Sequence, residues 1–402
     1  EPIKYDVEKA KALMAEAGAI DGFTLDATFP NVNQYGVDYT LMMQKIQQDL
    51  AEINVKLDLS PVEFSVWREK INGDGIPLTA VFFASVTAAD PGLYRVIFVT
   101  YVVAAVATAM LGVLGYFHAF PGAEIFTLYD RAAGAFQDPN VFGPYLTLPA
   151  IFLLHRLMTG RIVMMPVLAV PLLVIVAGIF FSFSRGAWGL FALSAVLLVG
   201  ALFLQTTSGM LRLRIVVMTV AGLAVLVLGL LVILQIPAVA DFFLARAQLV
   251  QEYDGARLGR FARHAIGFEM AMEHPLGIGA LVFGQIYGED THNIWLKALL
   301  DYGWLGFAAY LTLVMWTLGA GFRILFRDRP WQPYLMCAYV VFVGHVGLGA
   351  VIDTDHWRHF YLLLGLIWGA IALESRHQRR IQPSPRPPAS IDPAERKLRP
   401  HR

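Results

Sequence analysis

The sequence predicts a polytopic α-helical membrane protein with about eight transmembrane helices and a small N-terminal α/β segment. Three observations predict it. Hydrophobic residues make up 57% of the 402 and charged residues 15%, against about 25% charged in a soluble domain. Apolar stretches of spanning length recur from residue 93 to residue 376. The loops dividing them are short, and every second one is basic. Formal net charge is zero, 31 basic against 31 acidic residues, so nothing in the balance points to nucleic acid. The single cysteine, Cys337, excludes an intrachain disulfide and a thiolate metal site.

Residues 1–88 differ from the rest. The first 92 residues hold six lysines (Lys4, Lys9, Lys11, Lys45, Lys56, Lys70) and one arginine, Arg68; the remainder holds 22 arginines and two lysines, Lys297 and Lys397. Bilayer avoidance applies equally to both residue types, so the change marks a join between unrelated segments, placed at Ala88–Pro91. The chain opens at Glu1 with no signal-peptide pattern, as a processed or partial chain would. Asp6 caps a helix that puts Ala10, Leu13, Met14 and Ala17 on one face and stops at Gly18. Phe23–Phe29 alternates as a strand, residues 40–53 form a second amphipathic helix, and Val55–Leu59 is a second strand. Neither helix supplies an apolar patch beyond the face that covers its own strands, so the segment is expected to touch the membrane part little and to be only marginally stable.

The expected spans are 93–117, 141–158, 162–183, 188–208, 214–236, 302–322, 332–352 and 359–375. Basic loops carry His155, Arg156 and Arg161, then Arg212 and Arg214, then Arg323, Arg327 and Arg329; Arg376, Arg379 and Arg380 follow the last span. These positions place both termini in the cytoplasm and the 237–301 loop outside. Residues 377–402 read as a disordered, basic, Pro-rich tail.

Arg185, Arg246, Arg257, Arg260, Arg263 and Arg358 then fall outside, where that rule gives them no purpose. Arg185 lies in a tight Ser184–Ala187 connection, as a surface-held guanidinium or a snorkelling side chain. Arg257, Arg260 and His264 are spaced by three and four, one face of a helix. Such a stripe holds a phosphate or diphosphate bidentately, or rests on anionic headgroups. Thr291 is the expected cap of a helix starting near Asn293, leaving His292 at its mouth as a proton acceptor, with Glu289 or Asp290 to orient the ring. Gly303 and Gly306 would let a helix or lipid chain approach. Asp138 and Asn140 precede the second span. Asp353, Asp355, His356, Trp357, Arg358 and His359 fill the last outer turn, with Trp357 as an interfacial anchor. No metal-site spacing is present, and the 353–356 turn is at most a weak divalent-ion site.

Two resemblances follow. Tyr5–Gly18, Gly22–Leu25, Gln44–Val55 and Val62–Lys70 resemble the C-terminal lobe of family-5 peptide-binding proteins of ABC importers. Residues 93 to about 376 resemble the O-antigen ligase and polymerase superfamily. That second resemblance rests on His292-Asn293 with Gly303 and Gly306, on Gly134, Phe136, Asp138, Pro139 and Asn140, and on Ser184-Arg185-Gly186. It rests also on Gly259–His264 with His274–Gly279, and on Asp353–Phe360. It implies glycan transfer, with inversion and no cofactor or metal, from undecaprenyl diphosphate to a sugar hydroxyl of lipid A core or a growing polysaccharide. The setting is the outer face of the bacterial inner membrane. His292 would be general base, and Arg185 and Arg260, with Arg257, would bind the diphosphate. Asp290, Asn293, His264, Asp138, Asn140, Asp353 and Arg358 would support them. Members of the superfamily have further early spans, whose place the importer-like segment takes here. An inactive truncated or fused gene product is therefore one alternative, and an oligopeptide-binding transporter fragment another.

Overall fold

The computed structural model describes residues 6–16, 18–34, 37–63, 76–247 and 259–381. The chain divides into two compact units, Glu1–Leu78 and Thr79–Arg402.

In the first unit, α1 (Val7–Glu16) starts where Asp6 Oδ1 accepts from Lys9 N at 2.9 Å, and Gly18 follows it with φ 72°. β1 (Phe23–Pro30) pairs in parallel with β4 (Val55–Val62). Parallel partners need a crossover, and α2 (Tyr39–Ala51) supplies it, capped by Asp38. Between β1 and α2 lies a short antiparallel pair, β2 (Asn33–Gln34) with β3 (Val37–Asp38). Phe29, Val55 and Leu57 are the buried hydrophobic residues described here. Leu13, Ile20, Phe23, Leu25, Leu41 and Met42 stay exposed. Contrary to expectation, then, the elements leave apolar surface uncovered, because two strands offer too little area to seat two helices. The 62–70 stretch of the importer-like pattern lies mostly outside the described residues.

The second unit is helical. α3 (Ile76–Ala89) is followed by α4 (Leu93–Tyr116), α5 (Pro139–Thr159), α6 (Met165–Phe181), α7 (Arg185–Gln205) and α8 (Gly209–Ile233). After α9 (Pro237–Ala247), α10 (Arg260–Glu273) and α11 (Val282–Tyr287) come α12 (Ile294–Leu325), α13 (Gln332–Leu348) and α14 (Arg358–Ile381). Among the described residues, six helices are long and apolar enough to cross a membrane: α4, α5, α7, α8, α12, and α6 with the 3-10 turn before it. The protein is thus a polytopic membrane protein. α13 is shorter, at 17 residues, and the apolar stretch of α14 is bracketed by His359 and Glu374. The mostly exposed side chains of α8, with Ile215 its one buried residue among those described, fit a helix surrounded by lipid.

Two boundaries depart from the sequence reading. The join expected at 88–91 lies inside the helical unit. Residues 79–89 are apolar, and α14 packs on them: a Cβ on Gly365 would come within 2.7 Å of Ala80 O and of Phe83 Cβ. Arg376 Nη1 donates to Ala88 O at 2.6 Å, and the buried Tyr94 hydroxyl to Leu366 O at 2.6 Å. At the other end, α14 runs to Ile381, so the tail expected from 377 begins as helix; Glu374, held by Arg327, Arg329 and Gln378, anchors that extension. Residues 382–402 lie outside the described residues.

Candidate active site

Two polar constellations stand together where α5, α7 and α12 begin and α13 ends. The first surrounds a cavity of about 470 Å³. Arg131, Arg185 and Arg246 line it with Asn140, and apolar walls come from Leu190, Leu193, Leu348, Val351 and Ile352. No carboxylate is among its described lining residues.

Local structure fixes these cations. Asp138 caps α5 by accepting from Asn140 N at 2.7 Å, which leaves the Asn140 side chain to accept from Arg131 Nη2 at 2.8 Å. Arg131 is buried, on a short strand paired with Thr127–Leu128, and its Nε donates to Ser182 O at 2.7 Å. Phe183 turns the chain with φ 44°, and Ser184 caps α7 by accepting from Ala187 N. Arg185 is therefore the first residue of α7 and not part of an open connection. Arg246 lies over the Phe242 ring at 5.6 Å. Small residues let the walls close: a Cβ on Gly143 would come within 2.5 Å of Ala187 Cβ, and one on Gly344 within 2.5 Å of Leu190 Cδ1.

The second constellation centres on His292, which has φ 51° and a half-buried ring. Its Nδ1 stands 3.4 Å from Asp353 Oδ2 and its Nε2 3.8 Å from Glu289 Oε2. The expected orienting carboxylate Asp290 is engaged elsewhere: with Asp355 it flanks the buried Lys297 ammonium, at 3.1 and 3.0 Å. Asp355 also faces His356 Nδ1 at 3.2 Å. Burial would raise the Asp355 carboxyl, but the His356 hydrogen bond and the Lys297 charge outweigh it and hold it below the usual range. Glu289 is lowered chiefly by its hydrogen bond from Arg263. Asp353 is buried, and its Oδ1 has no partner among the described residues. Among the described residues no three His, Cys, Asp or Glu side chains converge as a metal site.

Several sequence expectations change. Asn293, not Thr291, caps α12, accepting from Trp295 N and Leu296 N; Thr291 Oγ1 instead donates to Asn293 O. Arg263, next to the expected stripe of Arg257, Arg260 and His264, is buried against Glu289. Arg260 begins α10, but its side chain, like all of Arg257, lies outside the described residues; the neighbouring Phe261 lines the cavity and packs edge-on to His264. Arg358 is exposed at the start of α14 and is not among the cavity lining. Trp357 is no interfacial anchor: it is buried, stacked on His359, and forms part of the cavity wall. Gly303 breaks α12 with φ 66°, and the chain segment 275–279, not a lipid, fills the break. Ile278 N donates to Leu300 O at 2.8 Å, Gly279 N to Asp301 O at 3.1 Å, and Trp304 N to Pro275 O at 3.0 Å. Gly306 faces Tyr302 of its own helix.

His292 is not among the cavity-lining residues. The two constellations share the 349–357 turn: Val351, Ile352 and Trp357 face the cavity, while Asp353 and Asp355 face His292 and Lys297. Ile294 N donates to Gly349 O at 2.8 Å, fastening that turn to the start of α12. Sequence reading missed Arg131 and Lys297 and left Arg246 without a role. Arg131 carries no spacing signal, though its place before the Gly134–Asn140 stretch could have drawn attention to it.

Residues 170–311 match the family model described as O-antigen ligase. Residues 1–98 match that of bacterial extracellular solute-binding proteins, family 5 Middle. No curated protein matches the chain. Arg185, Arg246 and His292 fall inside the first match; Arg131, Asn140 and Asp353 fall outside it.

Proposed function

We propose that this membrane protein, whose central third matches the O-antigen ligases, transfers a glycan from a polyprenyl diphosphate to a sugar hydroxyl. The observation that carries the reading is the cavity where Arg131, Arg185 and Arg246 meet apolar walls, beside the His292–Asp353 pair. A diphosphate on a lipid has those two needs: bidentate cations for its oxygens and hydrocarbon for its chain. The acceptor oxygen bonds to the anomeric carbon as the bond from that carbon to the diphosphate oxygen breaks, from the opposite face. The hydroxyl proton passes to His292. Arg185, Arg131 and Arg246 stabilise the charge growing on the departing diphosphate. Asp353 fixes the ring and faces the imidazolium once it forms. Arg260 and Arg257 complete the diphosphate contacts, while His264 and Arg358 border the site.

In the bilayer, α13 and α14 join the other six helices to make eight spans. Both ends then lie in the cytoplasm and the site lies at the outer face of the inner membrane, as the alternating basic loops favour. The acceptor is lipid A core or a growing polysaccharide.

The test is transfer in vitro from a polyprenyl-diphosphate-linked glycan, with membrane levels of protein matched. His292→Ala and Arg185→Ala are each expected to abolish transfer; full activity in His292→Ala would remove the proposed base.

A further inference from the structure

We propose that a second cavity, at the far end of α5, binds the phosphate headgroup of an anionic membrane phospholipid. It holds about 350 Å³ and is lined by Arg156, Thr159, Gly160, Arg161, Met164 and Leu168. α5 has 21 residues, so at about 1.5 Å per residue this cavity lies some 30 Å along the helix from Asn140 and the arginine cavity.

Two features favour a phosphate there. Arg156, on the last turn of α5, and Arg161, just beyond it, line the same space, and among the described residues neither guanidinium is hydrogen-bonded or ion-paired to the protein. A third cation already serves the helix end: Arg214 Nη1 donates to Gly160 O at 2.6 Å and its Nη2 to Leu157 O at 2.7 Å. It satisfies carbonyls of the last turn and offsets the negative end of the helix, which would otherwise repel an anion.

A lipid source follows from the surroundings. Ile162, Val163 and Val167 are 68%, 85% and 63% exposed, and Met164 and Leu168 form the apolar part of the lining. Exposed aliphatic side chains beside a paired-arginine cavity, at the end of helices that cross a bilayer, suit a headgroup whose acyl chains lie along α6. Free phosphate would need no such skirt.

The experiment uses the full chain in nanodiscs of phosphatidylglycerol and phosphatidylethanolamine in equal parts, with retained lipids counted by native mass spectrometry after release. The protein is expected to retain phosphatidylglycerol preferentially. Arg156→Gln with Arg161→Gln should lower that retention by about fivefold per arginine. Arg212→Gln, which removes a basic-loop charge whose Nε donates to Thr206 O, should leave it unchanged. Unaltered retention in the double variant overturns the proposal, as does an equal loss in Arg212→Gln. Displacement of the lipid by millimolar inorganic phosphate would overturn the assignment to a lipid. Size-exclusion profiles matching the parent chain confirm that the double variant is folded.

Discussion

The arginine cavity and the His292 network are neighbours built from different side chains. In the cavity, Arg131 is positioned by Asn140 Oδ1 and Ser182 O, and Arg246 lies over the Phe242 ring, among apolar walls. Around His292 each described cation has a carboxylate: Lys297 has Asp290 and Asp355, and Arg263 has Glu289. The difference teaches a division of labour. On the function proposed above, the cavity gathers cations beside apolar walls for a lipid-linked anion, and the His292 network holds its charges in pairs around one proton acceptor.

The largest effect expected from breaking this division is at the two reacting ends. Arg185→Ala and His292→Ala should each lower transfer by about 10²–10⁴ while leaving the protein in the membrane. Arg185→Lys, which keeps charge but loses the planar fork, should recover part of the rate. If Arg185→Lys equals the parent, geometry is not what the cavity supplies.

Gly303→Ala should come next, because a Cβ there meets Pro275 O and Leu276 C and φ is positive. The break in α12 would close or the 275–279 segment would be expelled, at about 1–3 kcal/mol. Faster proteolysis between 275 and 303, with transfer reduced, is the outcome to look for; parent-like resistance would mean the break is not needed.

Arg131→Gln sharpens the comparison inside the cavity. It removes the charge and the link between α5 and the Ser182 turn, so transfer should fall by about tenfold to a hundredfold, mainly through weaker donor binding. A lowered turnover number with unchanged KM would move Arg131 from binding to the chemical step.

The boundary between the units offers a structural cut. Deleting residues 1–78 should leave the helical unit inserted, whereas deleting 1–88 removes Ala80, Phe83 and Thr87 from the face of α14 and should lower its melting temperature. Equal stability of the two deletions would restore the boundary expected at 88–91. Micromolar binding of an oligopeptide to the full chain, measured by calorimetry, would instead give the first unit a function of its own.

The smallest effect concerns pH. Glu289 and Asp355 are held below their ordinary values, so the stability they contribute is present above the unfolded carboxylate value of about 4 and is lost as pH falls through the lower folded one. Between pH 5 and 8, roughly, protease resistance of the 349–357 turn should be flat, and it should decline only in stronger acid. A decline near pH 6 would point to the histidines instead.

Much of this was legible in the sequence for simple reasons. Spans follow from runs of apolar residues because lipid demands them over about 20 positions, and six of the eight expected spans have, among the described residues, a helix long and apolar enough to cross a membrane. His292 lies just before the start of α12, as its spacing from Asn293 suggested, whereas Arg185 opens α7 and does not sit in the expected connection. Less legible were roles set by competition between neighbours. Asn293 is the cap where Thr291 was expected, and Asp290 turns to Lys297, leaving His292 to Asp353, some sixty positions along the chain. Lys297 reads as a lone cation in an apolar helix until the 353–357 turn is folded against it.

What the sequence by itself determined was therefore composition and period: a membrane protein, the order of its helices, an appended α/β segment, and a supply of arginines and histidines outside the basic loops. Only the tertiary structure decided which of those charges face one another. It turned Arg263 away to Glu289, brought Arg131 and Arg246 to the same cavity as Arg185, and joined residues 79–89 to the last helix. The physical reason is range. Hydropathy acts locally along the chain, whereas a charge in a low-dielectric setting is settled by whatever lies within a few ångströms of it, wherever in the sequence that neighbour was written.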